Sequence, residues 1–288
     1  MTLPVLSAVR ERLGSALFEQ VAGSRGPQRR ERIHQATGPR WFDASRPIWQ
    51  VHSDAAMFVG GLRALLLQSL HPLAMAGVAA HSGYRGDPWG RLHRTSHFLA
   101  VTTFGVEADA LEMIARIRAI HDRVQGTAPD GRHYAASDPH LLRWVHLAEV
   151  DSFLTTYQRY GANPLGQAGR DGYVADSARV AAALGVLDPP TTEAQVRVEL
   201  EAYRPELAGT REAREAARFM LLTPPLPLAA RAPYGALAAA AVASLPRWAR
   251  WPLRLPYLPL AEATVVRLAG EGLVRGIRWV LTPTPDAA

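Results

Sequence analysis

Apolar positions along this chain recur at the helical spacing of three and four residues, and the alternation that marks a strand is nearly missing. The pattern predicts a first helix over 4–21, then a wrapping loop over 22–50, which is rich in Arg, Gly and Pro. From Asp54, read as an N-cap, "AAMFVGGLRALLLQSL" is apolar almost all round; this predicts a buried central helix ended by His71-Pro72. A short helix is expected near 73–80. Asp87-Pro88 then starts the helix of "GRLHRTSHFLAVTTFG", closed by Gly105. An amphipathic helix over 107–124 is stopped by Gly126, and Asp138-Pro139 opens a long one through "HLLRWVHLAEVDSFLTTYQRY". Further helices are expected near 173–185, 192–203, 210–222, 233–244 and 259–281. The prolines at 224, 225 and 227 offer a subdomain edge, but the fold class read here is all-α, one large helical domain over 1–288.

Composition narrows the chemistry. The chain has 288 residues, 48% of them hydrophobic, enough for a sizeable core. It has no cysteine, which excludes disulfides, thiolate catalysis, zinc–thiolate sites and iron–sulfur clusters. All 32 basic residues are arginine, so Schiff-base and P-loop lysine mechanisms are excluded as well. The net charge of +6 comes from arginines scattered among acids and apolar residues, without the basic stripe that nucleic acid requires. No secretory signal is read at the start, and no run reaches the roughly 18–20 apolar residues of a membrane span. A cytoplasmic location is expected. The stretch "PRWARWPLRLPYLP" alternates Trp and Arg with apolar residues, and reads either as a proline-braced surface loop or as a peripheral membrane contact.

Several residues stand out as candidates. His121 follows Ile117 by four and precedes Val124 by three, so it joins the face of Met113, Ile114, Ile117 and Ile120. A neutral imidazole buried there needs a partner at each nitrogen, either a metal ion or a backbone carbonyl. His71, at the end of the most apolar helix, reads either as a capping histidine or as a pocket residue. Arg91 and Thr95 stand four apart and face one way; beside an apolar pocket, a hydroxyl-steadied guanidinium anchors an acidic group. Arg94 and His97 lie nearby. His146 and Glu149, with Asp151, invite a dinuclear-iron reading, but the order is His-x-x-Glu and no second copy exists. His81, His133 and His140 fall in loops or at helix starts and read as solvated or capping. No G-x-S-x-G, G-x-G-x-x-G or H-E-x-x-H is present.

The stretch "HSDAAMFVGGLRALLLQSLHPLAMAGVAAHSGYRGDPWGRLHRT", followed by "FG", "IHDRVQG" and "YAASDPHLLRWVH", resembles the bacterial branch of the MpaB / latex-clearing-protein (rubber oxygenase) catalytic family. The resemblance covers roughly 52–160 and is weaker in the last third. It implies an all-α fold with a globin-like core that binds haem b. It makes His121 the proximal iron ligand, with Arg91, Arg94, Thr95 and Phe98 beside the haem. Two departures stand against the rubber-cleaving pattern. Arg94 occupies the place of a lysine, and "SLHPLAMAG" offers no acidic residue where a catalytic base is wanted, leaving His71 for that role.

The reading that follows is a haem-b-dependent oxygenase using O₂ or a peroxide on an apolar substrate, with Phe58, Leu62, Leu66, Phe98 and Phe104 as pocket walls. Two alternatives stay open. One is a non-catalytic haem carrier or sensor with His71 opposite His121; the other is a cofactor-free helical protein that binds lipid or isoprenoid.

Overall fold

The computed structural model describes residues 4–83 and 85–282. The chain is helical almost throughout. Its helices are α1 (Pro4–Ala22), α2 (Gly26–Gln35), α3 (Pro47–His52), α4 (Met57–Gln68), α5 (Pro72–His81), α6 (Pro88–Phe104) and α7 (Glu107–His121). A short antiparallel hairpin follows, β1 (Gln125–Thr127) with β2 (His133–Ala135) in the register Gly126↔Tyr134. Beyond it come α8 (Pro139–Tyr160), α9 (Gln167–Leu184), α10 (Glu193–Tyr203), α11 (Arg211–Leu222), α12 (Leu228–Ser244) and the single turn α13 (Arg247–Arg250). The last helix starts as α14 (Pro259–Ala261), loosens into a π turn over Glu262–Val266 and continues as α15 (Arg267–Leu281).

Local chemistry accounts for the sharper boundaries. Asp87 accepts a hydrogen bond from the Gly90 amide at 2.8 Å with Pro88 in the first turn; Asp138 does the same for His140 at 2.9 Å with Pro139 behind it. α9 ends at Gly185, whose φ of 111° lies in the left-handed region that glycine enters without a Cβ penalty.

Four expectations need correction. The supposed loop over 22–50 holds α2 and α3; α3 begins at Pro47, whose fixed φ suits a first turn. Asp54 is not the N-cap of α4, a position held by Ala56. Its carboxylate instead accepts from the Ala56 amide at 2.7 Å and from Arg278 at 2.9 and 3.0 Å, tying α4 to α15. α7 stops at His121 rather than at 124: the Arg123 and Val124 amides tighten onto the carbonyls three residues back, Ile120 and His121. The chain then turns into the hairpin, where the Ala136 amide donates to the Val124 carbonyl. Within α7, Ile120 is 41% exposed and off the inward face, which runs through Ala110, Ile114, Ile117 and His121.

The core is built on α4 and α8, the most extensive helix pair in the molecule, running antiparallel. Gly60 meets Phe153 and Thr156 near one end, and Trp144 Nε1 donates to the Gln68 carbonyl at 3.1 Å near the other. The buried Arg63 bridges the pair. It donates to Ser152 Oγ at 2.7 Å and the Ser244 carbonyl at 3.0 Å, and pairs with Asp151 at 2.7 Å. α12 packs on α4 and α15, α9 on α3 and α8, and α6 with α7 forms a wall beside α1 and α2. Between α4 and α5 the chain bends by 108°, which places His71 at the corner.

Among the described residues, no single helix is long and apolar enough to cross a membrane. The "PRWARWPLRLPYLP" stretch is anchored by Arg250, which is buried and bonds the carbonyls of Leu245 and Ala243 and the Glu262 carboxylate. Trp251 projects from it, 87% exposed.

Candidate functional site

Three groups of polar side chains lie against the apolar interior. The first is on α6 and α7. Arg91 is half-buried, and its guanidinium donates to Ser82 Oγ, at the end of α5, at 2.9 Å. The hydroxyl that steadies Arg91 is thus Ser82, whereas Thr95 is exposed. Arg94 pairs with Asp87 at 3.3 Å on the surface, and Phe98 is half-buried. On α7, His121 has its Nδ1 enclosed without a partner, and burial holds the ring below the ordinary histidine range, with Asp122 opposing in part. The imidazole is therefore neutral near pH 7. His97, on α6, has the same character: an enclosed, unpartnered Nδ1 and a pKa lowered by burial and then by Arg29.

The second group lies deeper, along the flank of α8 that faces α3 and α9. His52 Nδ1 is 2.8 Å from Thr103 Oγ1 and its Nε2 is 3.2 Å from the Tyr173 hydroxyl, with Phe153 edge-on to the ring. Burial drives His52 down to about 3. On α8 itself, burial lowers His146 to about 4 and raises Glu149 to about 7. His146 Nε2 has no hydrogen-bond partner, and the shift of Glu149 comes from burial alone, with no hydrogen bond or ion pair to its carboxyl among the described residues. Tyr173 is pushed upward by burial and next by the charge of Glu149. Both His146 and Glu149 are surrounded by protein, yet neither is fully covered.

The third group sits at the α4–α5 corner. His71 is 1% exposed, packed against Trp144 and Tyr203. Its Nε2 is 3.5 Å from Glu206 Oε2, close enough for an ion pair but not in hydrogen-bonding geometry, so both ring nitrogens lack a hydrogen bond. Each such buried polar atom costs about 1–3 kcal/mol. Burial lowers its pKa, partly opposed by Glu206. His140, in the first turn of α8, reaches the same Glu206 oxygen at 2.8 Å. The Tyr203 hydroxyl donates to the His140 carbonyl at 2.8 Å and lies 3.2 Å from His140 Nδ1.

The structure therefore separates residues that the sequence grouped together. Arg91, Arg94, Thr95 and Phe98 share α6, and His121 is on the adjacent α7. The ring contacts of His71 are with His140, Trp144 and Tyr203, none of which belongs to α6 or α7. Leu62 and Leu66 lie in the close-packed core; Phe58, Phe98 and Phe104 are half-buried. His140 and Glu206 were not legible as partners, being 66 residues apart. Glu149 was legible only as half of a weak metal motif, since nothing in the local pattern shows that its carboxyl is desolvated.

The family model described as "ER-bound oxygenase mpaB/B'/Rubber oxygenase, catalytic domain" matches residues 49–279. That span runs from α3 into α15, well beyond the 52–160 segment that carries the sequence motifs. No curated protein and no solved structure matches the chain.

Proposed function

We propose a function from one premise: the chain belongs to the ER-bound oxygenase mpaB/B'/rubber oxygenase catalytic-domain family. The activity is that of an oxygenase. In our reading the cofactor is haem b, the iron ligand is His121 and the substrate is an apolar organic molecule.

The observation that carries this reading is the state of His121. A haem ligand is a neutral imidazole with one nitrogen free to bind iron, while its other nitrogen ordinarily donates to a carbonyl or carboxylate, a partner that His121 Nδ1 lacks here. His121 is neutral by virtue of burial, its Nδ1 is enclosed, and among the described residues no group bonds its Nε2. Residues of the adjacent α6 suit the rest of the cofactor in chemistry. Arg91, cationic at all working pH values and steadied by Ser82, suits a propionate, and Phe98 offers an apolar edge. The bis-histidine alternative draws no support, because the ring contacts of His71 lie on α8 and α10.

Bound haem would supply activation of O₂ or peroxide; the chain supplies binding, shape and a proton store. Glu149 answers the missing acidic residue. A carboxyl held up to about 7 is partly protonated at neutral pH, so its oxygens both release and accept a proton there. Tyr173, His52 and Thr103 form a hydroxyl–imidazole–hydroxyl line beside it, which keeps neighbouring donors fixed without adding charge.

The test is an absorption spectrum of protein expressed with haem supply. Wild-type protein shows a Soret band, and His121→Ala loses or shifts it. Arg91→Ala retains less haem at unchanged helicity. A wild-type chain that takes up no haem, or an unaltered Soret band in His121→Ala, would refute the assignment.

A further inference from the structure

The corner formed by His71, His140 and Glu206 has no place in the oxygenase reading, and it is not an ordinary surface ion pair. One imidazole nitrogen from each histidine and one carboxylate oxygen lie within 4.8 Å of one another. We propose that these three residues bind a divalent transition-metal ion through His71 Nε2, His140 Nε2 and Glu206 Oε2, at a site separate from His121 and its neighbours on α6 and α7.

Three observations carry the assignment. First, His71 is 1% exposed, both of its ring nitrogens lack a hydrogen bond, and its Nε2 lies 3.5 Å from Glu206 Oε2. A buried imidazole normally has a donor or acceptor at each nitrogen, and a metal ion is a partner that Nε2 can take without a proton. Second, the surroundings of His140 select its tautomer. The Tyr203 hydroxyl gives its proton to the His140 carbonyl, so its oxygen accepts from His140 Nδ1–H. In the neutral ring Nε2 is then a bare lone pair facing a carboxylate oxygen at 2.8 Å, an arrangement that calls for a cation between them. An imidazolium proton would serve His140 alone; a metal ion serves both histidines and the carboxylate together. Third, the spacing suits the ion. Ligand bonds of about 2.0–2.1 Å in a tetrahedral site put donor atoms roughly 3.3 Å apart. The His71–Glu206 separation of 3.5 Å is already there, and the 2.8 Å His140–Glu206 contact opens by about half an ångström. The two imidazole nitrogens, within 4.8 Å of each other, close by up to about 1.5 Å through rotation of the half-exposed His140.

Two imidazoles and one carboxylate suit zinc or ferrous iron rather than calcium or magnesium, which take all-oxygen sites. His140 and Glu206 are 51% and 41% exposed, so an ion enters from solvent and keeps an open position on that side. Arg132, the nearby cation that opposes charge at His71, is itself held by Asp130 at 2.7 Å. Bound there, the metal joins the α4–α5 corner to the start of α8 and the single turn Arg204–Glu206 that follows α10. The site does not depend on haem binding, and its test reads a different quantity.

Zn²⁺ and Co²⁺ are titrated into purified full-length protein stripped with chelator, following metal content, the visible Co²⁺ absorption and the unfolding temperature. Wild-type protein takes up one equivalent of Zn²⁺, and its unfolding temperature rises with metal concentration. Changing an outer partner of a metal ligand costs about 10–100-fold in affinity. Tyr203→Phe therefore weakens binding by about 10-fold, and His140→Ala or Glu206→Gln by at least about 100-fold. Both latter positions are half-exposed, so these variants fold, and their Soret band is recorded in the same samples as a separate readout. Equal Zn²⁺ affinity in wild type and the His140→Ala/Glu206→Gln double variant would overturn the proposal and leave the corner as an imidazolium–carboxylate pair.

Discussion

The two flanks of α8 are built on opposite terms. Toward α4, polar groups are paired: Arg63 reaches Asp151, Ser152 and the Ser244 carbonyl, and Trp144 Nε1 reaches the Gln68 carbonyl. Toward α3 and α9, one or two residues away on the same helix, His146 keeps an unpartnered Nε2 and Glu149 keeps its proton up to about 7. A helix that satisfies its polar groups on one side has the means to do so on the other. The Tyr160 hydroxyl at the far end of α8 is also buried without a partner, so what sets the α3/α9 flank apart is that its groups titrate: burial holds His146 to about 4 and Glu149 up to about 7.

The largest effect that would sharpen the contrast is loss of stability in acid. His52 is held at about 3 and His146 at about 4, against 6.5 in an unfolded chain. Below about pH 6.5 the unfolded chain binds protons that these two folded histidines refuse, so stability is complete above that pH and falls as pH drops toward 4. Each pH unit separating a folded from an unfolded value is worth about 1.4 kcal/mol, so the pair together accounts for several kcal/mol. Urea unfolding at pH 7, 5.5 and 4.5 should show a steep decline, flattened in the His52→Gln/His146→Gln variant. An equally steep acid limb in that variant would mean that the loss arises elsewhere.

Glu149 acts with the opposite sign and a smaller size. Its folded pKa of about 7 exceeds the unfolded value of 4.5. Between those values the unfolded chain ionises first, and stability falls as pH rises from about 4.5 to 7, then levels off. Glu149→Gln removes this penalty. It is expected to be more stable than wild type by up to about 3 kcal/mol at pH 8, with the difference vanishing near pH 4. A gain independent of pH would show that the carboxyl is not desolvated, and the proton-store role of Glu149 would go with it.

What the sequence disclosed, and what it did not, follows the range of the interactions concerned. Caps at Asp87 and Asp138 are local, fixed by a side chain and an amide two or three residues on, and both were legible. The bare Nδ1 of His121 was legible in outline because a stripe on one helix shows which residues turn inward. The hairpin after α7 was not, since its three-residue strands are too short to alternate and depend on pairing with each other. α2 was hidden for a different reason: "GPQRRERIHQ" is too polar to show an apolar stripe and buries only Gly26 and Ile33. The corner at His71 joins positions 69 and 66 residues apart, in steps that only a folded chain makes. The family match also runs further than its motifs, to residue 279, across helices that pack on α4 and α8.

The packed flank has its own test, in the two adjacent glycines of "VGGLRAL", which the sequence alone cannot rank. A Cβ at Gly60 would stand 2.7 Å from both Phe153 Cδ1 and Thr156 Oγ1, with Phe153 Cα at 3.3 Å behind them. Those atoms belong to α8 and are themselves buried, so they cannot swing aside, and the helices must part. Gly60→Ala is therefore expected to cost about 1–3 kcal/mol, the usual range for overpacking, despite the better helix propensity of alanine. At Gly61 nothing lies within 4 Å of the same added atom. There alanine meets no obstacle and raises stability by roughly 0.5–1 kcal/mol through helix propensity. Chemical denaturation of the two single variants decides the matter. If Gly60→Ala proves as stable as Gly61→Ala, α4 and α8 are not in close contact at that crossing, and the contrast between the two flanks of α8 loses its packed side.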